Sequence, residues 1–468
     1  MSDHRALTFS RLGLALALAY CGGAQAQSLQ EVYDAARAYD ATYLSARALA
    51  DTAQYKLEQA QSLGRPNVGA AVGSTYQTTT VPSGENPANS LDPAQAAENA
   101  QTGAVPNITK INTITSTAGL KGNMALYNPA NSATIEQARR QLGVFAADLE
   151  TAEQDLIVRV AQAYFDVLAA QDTLSTSRAN KTAIAEQLAS AKRNFEVGTA
   201  TITDTREAQA RYDLAISQDI GADNDLRTKQ VVLDQLVGRP GVTPKPLVQP
   251  VALPALPSDD IDSWVAQGEQ SPLVRKARLG LDVAHLEVDK QRAAGGVTVD
   301  ASGTVGVQNV HNNLGNFAAA YGAGTTRTAS LGLSINYPLY TGGLVHGRVY
   351  EAMKLEEKAG TDLEFARRSV SQNTRSAFLG VQSLRAQVKA LEAAESSSKL
   401  SLEATQLGYK VGVRVNIDVL NAQTQLYTTE AQLAKARYDV LVNGLKLRQA
   451  NGTLRPDDVS AVNVLLAK

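Results

Sequence analysis

Cysteine is nearly absent from this 468-residue chain, which carries only Cys21. Without a second thiol, the chain can build neither an internal disulfide nor a cysteine metal site. Histidine is as scarce. His4, His285, His311 and His346 are scattered, so they offer no metal-ligand spacing. Aromatic residues make up 5%, while Ala and Leu are the commonest residues, a balance that favours long helices with small contact residues over a thick globular core. Charge of one sign is lacking as well. With 44 basic against 46 acidic residues, nothing in the charge suggests a nucleic-acid-binding protein. Catalytic motifs are also missing. Gly342-Gly343-Leu344-Val345-His346-Gly347 superficially suggests a phosphate loop, but it lacks the Gly-x-Gly start and the Lys-Ser/Thr end. It reads as a flexible strand-to-helix junction. No Gly-x-Ser-x-Gly elbow is found. The expectation is no enzyme and no cofactor or metal, so any energy for transport would come from a partner.

Long apolar runs are missing except at the N-terminus. Arg5 and Arg11 precede the apolar run Leu12–Tyr20, and Ala24-Gln25-Ala26 follows as a small-x-small cleavage site. Residues 1–26 therefore read as a secretory signal, with Gln27 opening the mature chain. The nine residues of that run are too few to cross about 30 Å of hydrocarbon. Cys21 follows Tyr20, which is not small, so lipidation is not expected. An export signal without a membrane helix leaves the periplasm, the outer membrane or the exterior of a Gram-negative cell.

What the chain does contain is itself, twice. Shifted by 214, residues 156–238 fall in register on 370–452. Phe195-Glu196-Val197-Gly198 meets Tyr409-Lys410-Val411-Gly412, Asp204 meets Asp418, Gln209 meets Gln423 and Gly238 meets Gly452. A weaker register pairs Arg47 with Arg278 and Asp51 with Asp282. Two structural repeats follow, 27–238 and 259–452, joined by 239–258 and trailed by a tail, 453–468. The joining segment holds Pro240, Pro244, Pro246, Pro250, Pro254 and Pro257, so it reads as an extended strap.

Each repeat opens with a helical stretch, roughly 28–64 and 259–294, and then alternates. Val297, Val299, Ala301, Gly303, Val305 and Val307 take one face against Thr298, Asp300, Ser302, Thr304 and Gln308. Ala329, Leu331, Leu333, Ile335 and Tyr337 oppose Ser330, Gly332, Ser334 and Asn336. In the first repeat Ile114, Ala118, Leu120, Met124 and Leu126 oppose Thr113, Thr115, Thr117, Lys121 and Asn123, and Val68–Tyr76 is a fainter strand. Such alternation marks half-exposed strands. Polar loops at about 81–110 and 311–326 join the strands of each pair.

Very long helical patterns follow, roughly 131–196 and 342–410, each broken at a Val-Gly pair and resumed to Gly238 or Gly452. Leu156, Val160, Ala163, Val167, Ala170 and Leu174 form a heptad seam, copied by Val370, Thr374, Ala377, Val381, Leu384 and Val388. Leu420, Thr424, Tyr427, Ala431, Ala434, Tyr438, Leu441 and Leu445 form another, the mark of coiled-coil packing. About 65 residues at about 1.5 Å each give a helix near 100 Å long. The fold class expected is mainly α with β: duplicated coiled-coil hairpins plus four amphipathic strands. Four strands cannot close a membrane barrel, since small barrels start at about eight, and open edges are prohibitive in lipid. Strands entering a membrane would then belong to one barrel shared by several chains. Two soluble hairpins capped by small β-domains remain the other reading of the pattern.

The segments Phe195–Asp204 and Gly408–Leu420, with Ala434-Lys435-Ala436-Arg437-Tyr438-Asp439, resemble the paired signatures of the TolC family over essentially the whole mature chain. The resemblance implies an outer-membrane channel-tunnel and a homotrimer, each chain giving four strands to one transmembrane barrel in the lipid. It also implies a periplasmic adaptor (membrane fusion protein) and an inner-membrane pump or ABC transporter as partners, with exported proteins, drugs or other small toxic compounds as cargo. By the same resemblance, the turns at Gly198 and Gly412 mark the periplasmic helix ends, where a polar network closes the tunnel. Carried over by position, Tyr409 and Arg414 would meet Thr203 and Asp204 as a gate network. Asp418 matches a constriction aspartate. Asn421 stands where a second acidic position is often found, which weakens the expected cation selectivity. On spacing alone, these residues cap helix ends. The competing classes are an adhesive coiled-coil envelope protein and a periplasmic adaptor. An adaptor would have one hairpin rather than two.

Overall fold

The computed structural model describes residues 26–80, 110–251, 253–314, 319 and 322–467. The signal segment through residue 25, including Cys21, lies outside the described residues, as do 81–109 and most of the tip of the second loop. The chain divides into two compact units. One comprises Met1–Thr52, Gly143–Leu281 and Ala359–Lys468, the other Ala53–Leu142 and Asp282–Lys358. Both sequence repeats contribute to each unit.

The smaller unit is built on one antiparallel sheet of β1 (Asn67–Thr80), β2 (Lys110–Tyr127), β3 (Thr298–Asn312) and β4 (Gly324–Asn336), in the order β1-β2-β3-β4. The register aligns the alternating patterns across all four strands. Ala70 faces Leu120, Leu120 faces Val305 and Val305 faces Ala329, while Gly303 faces Leu331 and Ala301 faces Leu333. These residues share one face. Lys121, Thr304 and Ser330 share the other, where the Thr304 and Ser330 hydroxyls lie 2.5 Å apart. Among the described residues nothing covers the apolar face: Leu331 is 95% exposed and Val72 86%. One detail departs from the alternation. The register shifts between Ala125 and Tyr127, so Tyr127 pairs with Val299 and Leu126 is the extra residue of a bulge rather than a member of the apolar row. A bulge places two residues opposite one and swaps the faces beyond it. Asn128 accepts from the backbone N–H groups of Ala130 and Asn131 through its side-chain oxygen and starts the following helix, with Pro129 at its first position, where a missing N–H is no loss. Gln137 of that helix donates to the Val283 carbonyl and to Glu287.

The larger unit is helical. Its elements are drawn from α1 (Leu29–Tyr39), α2 (Ala41–Gln61), α3 (Pro129–Glu196), α4 (Ile202–Val237), α5 (Ile261–Gln267), α6 (Pro272–Ala293), α7 (Leu344–Lys410), α8 (Asn416–Ala450) and α9 (Pro456–Asn463). The α3 seam is buried at every position, from Leu156 at 0% to Ala163 at 8%. Its copy on α7 is buried at Val370, Thr374, Val381 and Val388, with Ala377 and Leu384 packed beside it. On α8 the seam is only part of the packing. Tyr438, Leu441 and Leu445 join the α3 cluster, while Leu433, Ala436 and Val440 of a second row pack against Val388 of α7. α8 is therefore gripped from two sides, and the single heptad stripe accounts for only Leu420, Tyr438, Leu441 and Leu445 among the fourteen residues it buries. Among the described residues, no helix is long and apolar enough to cross a membrane.

The strap is tied down rather than loose. Gln27 bridges Pro244, and Leu247 bridges Leu466 just beyond α9. The Tyr164 hydroxyl accepts from the Lys245 N–H at 2.8 Å. Gln154 donates to the carbonyls of Gly452 and Leu454. α9 falls within the expected C-terminal tail. Its Val459 and Val462 pack into the main core with Leu466, so this end is a structural element. Each repeat closes in the same way. Gly238 and Gly452 end their helices at φ 73° and 76°, and a Cβ there would sit 2.4 Å from the Tyr39 ring or 2.5 Å from Ser271. Those two contacts lie at the equivalent helix breaks, Asp40 and Ser271, of the two halves. Only glycine satisfies both the left-handed backbone and the close approach.

Candidate functional site: the paired helix turns

The two Val-Gly turns have one geometry. After α3, the N–H groups of Thr199 and Ala200 both donate to the Asn194 carbonyl, and Gly198 sits at φ 78°. After α7, the N–H groups of Val413 and Arg414 both donate to the Gly408 carbonyl, and Gly412 sits at φ 77°. These are glycine C-caps that collect the last helical carbonyls. Matching the halves exposes a size exchange. Position 194 is Asn where its mate is Gly408, and Ala200 stands where its mate is Arg414. The exchange has a physical reason, since a Cβ on Gly408 would lie 2.8 Å from Arg414 Cγ. The second turn carries its cation because the helix beneath it is bare.

The structure distributes the expected site residues as follows. Asp204 accepts from the Thr201 N–H at 2.9 Å and from the Thr201 hydroxyl at 2.7 Å, while the Thr201 hydroxyl accepts from the Asp204 N–H. This reciprocal box holds it at the start of α4. Asp418 holds its helix start more loosely. Its carboxylate lies 3.5 Å from the Val415 N–H and 3.7 Å from Arg414. Tyr409 accepts from the Asn194 side-chain amide at 3.3 Å, which links the two turns within one chain. Asn421 accepts from Arg211 at 2.9 Å, a second link between the halves. Thr203 is exposed. Among the described residues, no hydrogen bond or ion pair joins Tyr409 or Arg414 to Thr203 or Asp204. The chain thus brings Tyr409 to Asn194 and Asn421 to Arg211, and keeps Asp204 and Arg414 in local pairs.

Sequence reasoning missed Asn194, Arg211 and Asn416. Asn194 directly precedes the first signature and Arg211 lies beyond it on the next helix, and only the cross-repeat comparison of position 194 with Gly408 carried a signal. Asn416 is 3% exposed, and neither polar atom of its side chain finds a partner, although Ile202 holds the matching place in the first repeat. Further up the hairpins, Asp172 accepts from the Tyr438 hydroxyl at 2.7 Å. Burial pushes the Asp172 carboxyl above its usual range, against the opposing pull of that hydrogen bond. Asp40 is held below the usual carboxylate range, first by its hydrogen bonds from Arg159 at 2.9 and 3.0 Å. Both pairs bind structural elements together at a distance from the turns.

Residues 32–239 and 268–453 match the outer membrane efflux protein family, and the chain belongs to that family. It is 29% identical to outer membrane protein TolC of Escherichia coli over 98% of this chain and 88% of that protein. It is 32% identical to the alkaline protease secretion protein AprF of Pseudomonas aeruginosa over 66% of this chain and 64% of that one. The fold matches the crystal structure of outer membrane protein VceC from Vibrio cholerae with a TM-score of 0.73 at 18% identity, covering 91% of this chain and 96% of that chain. This is an outer-membrane export duct of the kind used in efflux or type I secretion systems, in a family of channels.

Proposed function

We propose that three copies of this chain close one transmembrane barrel, and that a gate between neighbouring copies controls passage at the helix turns. The observation that carries the barrel is the sheet itself. Its apolar face is exposed along all four strands, and β1 and β4 are edges whose outer N–H and C=O groups face no strand among the described residues. Lipid tolerates the face and not the edges. Twelve strands, four from each of three copies, would remove every edge and lie within the size range of membrane barrels.

The gate reading follows from what each chain leaves unengaged. The Arg414 side chain is 60% exposed and only loosely paired, and Thr203 is exposed. A neighbouring copy brings the Thr203–Asp204 helix start against Arg414 and Tyr409, and charge-assisted bonds there select the closed register. Being wet, each link is weak, so opening needs no large force. Asp418 of three copies forms the constriction, with a summed formal charge near −3 that concentrates cations. Asn421 leaves that ring alone in its acidity.

The duct works with a periplasmic adaptor and an energised inner-membrane pump or ABC transporter. Crosslinking in intact cells, followed by purification on this chain, tests the assembly. Recovery of the chain as a trimer with one adaptor and one inner-membrane protein supports it. Recovery of an uncomplexed monomer, with the barrel fraction unaffected by heating, sinks it.

A further inference from the structure

We infer that the larger unit contains a binding site for a small apolar carboxylate beneath the strap, between Trp264, Gly444 and Arg385. The site is a pocket of about 110 Å³ whose walls come from strap residues 254–257, α5, α7, α8 and α9. Most of its lining is aliphatic, with the Trp264 ring on one side. At about 110 Å³ the pocket is smaller than the roughly 150 Å³ apolar cavity that holds benzene dry, so its occupant is limited to one small ring or a short branched chain.

Three observations point to a ligand rather than a packing fault. First, α8 is opened by Gly444, and a Cβ placed there would meet no atom within 4 Å. The first repeat has Gln230 at the matching position. A mid-helix glycine costs about 1 kcal/mol relative to alanine, and nothing in the surrounding backbone requires it. Second, the charges of the wall do not balance. Arg448 is engaged by Asp458, whereas among the described residues no hydrogen bond or ion pair engages the half-buried Arg385. The wall therefore carries one surplus positive charge beside an apolar void. Third, the indole N–H already donates to the Ser258 carbonyl at 3.0 Å. Trp264 thus offers its ring, not a polar group, to an occupant. A guanidinium fork suits one carboxylate in bidentate fashion, and the aliphatic wall suits the body attached to it. Because the strap, the α7–α8 hairpin and α9 all contribute walls, an occupant joins three elements that are otherwise held by separate contacts.

Trp264 is the only tryptophan in the chain, so its fluorescence reports the site directly. The full chain in lipid vesicles is titrated with benzoate and, separately, with benzyl alcohol, a neutral ring of similar size. Expected is a saturable change in Trp264 emission, with benzoate binding about tenfold tighter than the alcohol through its charged hydrogen bonds. Arg385→Gln brings the two ligands to equal affinity. Gly444→Leu fills the void and abolishes the response to both. If that variant fails to assemble, Val381→Phe closes the same space from the opposite wall. A non-saturating change, a response that survives the filled pocket, or equal binding of benzoate and alcohol to the unaltered chain overturns the inference. The readout does not depend on pore opening, so it stands or falls apart from the gate reading.

Discussion

Substituting Gly408 by alanine separates the position of Arg414 from its chemistry. The added Cβ falls 2.8 Å from Arg414 Cγ. Carbon atoms in contact sit at about 3.5–4.0 Å, so the arginine must retreat by at least about 0.7 Å, and a change of rotamer is its easiest route. The backbone gains rather than loses. Alanine in place of a helical glycine is favoured by up to about 1 kcal/mol. The Arg414–Asp418 pair that would be disturbed spans 3.7 Å with side chains 60% and 35% exposed, and such pairs contribute about 0–1 kcal/mol. The two effects nearly cancel, so Gly408→Ala should leave the thermal midpoint within a few degrees of the parent. Under the proposed gate, the displaced cation no longer reaches the neighbouring Thr203–Asp204 helix start, and resting conductance in planar bilayers rises. The control is the same substitution in an Arg414→Ala background, where no cation remains to displace. There Gly408→Ala should add nothing, so the two changes are strongly non-additive. An equal increment in both backgrounds would refute the reasoning, because the effect would then come from the helix and not from Arg414.

Further outcomes follow from other parts of the fold. Leu333→Arg places a charge on the apolar face and should cost roughly 2–4 kcal/mol per chain at mid-membrane, whereas Ser334→Arg on the opposite face should be tolerated; equal heat-stable assembly of both would refute the face assignment. Asp418→Asn should abolish current block by a trivalent cation applied from the periplasmic side, with block in the parent strongest at low salt because screening lengthens to about 30 Å at 0.01 M; unchanged block would leave Asp418 as a helix-end residue. Burial raises the folded-state pKa of Asp172, so its contribution favours the folded protein below the unfolded value and is lost as pH rises through the folded one. At neutral pH its ionised form is a net cost, and Asp172→Asn, which keeps an acceptor for Tyr438, should raise the thermal midpoint near neutrality and reduce the stabilisation gained on acidification. A lowered midpoint at neutral pH would show that the charge itself is needed.

Periodicity made much of this fold legible. The α3 seam residues are all buried, because a 4-3 spacing has only one helical solution, and the strand alternation holds across the four strands up to the bulge at Leu126 because register is fixed by which face is apolar. The α8 packing was only partly legible. Ala436 of its second row does not look like part of a core stripe, yet it is buried because helices press on α8 from both sides. The bulge at Leu126 was invisible, since one extra residue leaves composition unchanged. At the turns, the duplicated Val-Gly signal located the site, but the partners did not follow from it. Asp204 has a threonine three residues before it and is gripped by that hydroxyl and backbone together, whereas Asp418 has Val415 there and keeps only a long contact to its backbone N–H. The contacts of Asn194 and Arg211 depend on how two hairpins lie side by side, which no local pattern encodes.

The central claim is a pore shared among copies and closed at the helix turns. Its most direct test is the planar-bilayer conductance of the purified oligomer, compared between the parent chain and Tyr409→Phe combined with Arg414→Ser. The account predicts small, discrete steps from a trimer of the parent and several-fold larger steps from the double variant at the same oligomeric mass. Equal steps from both would contradict the gate, and conductance from a single chain, or none from the trimer, would contradict the shared barrel.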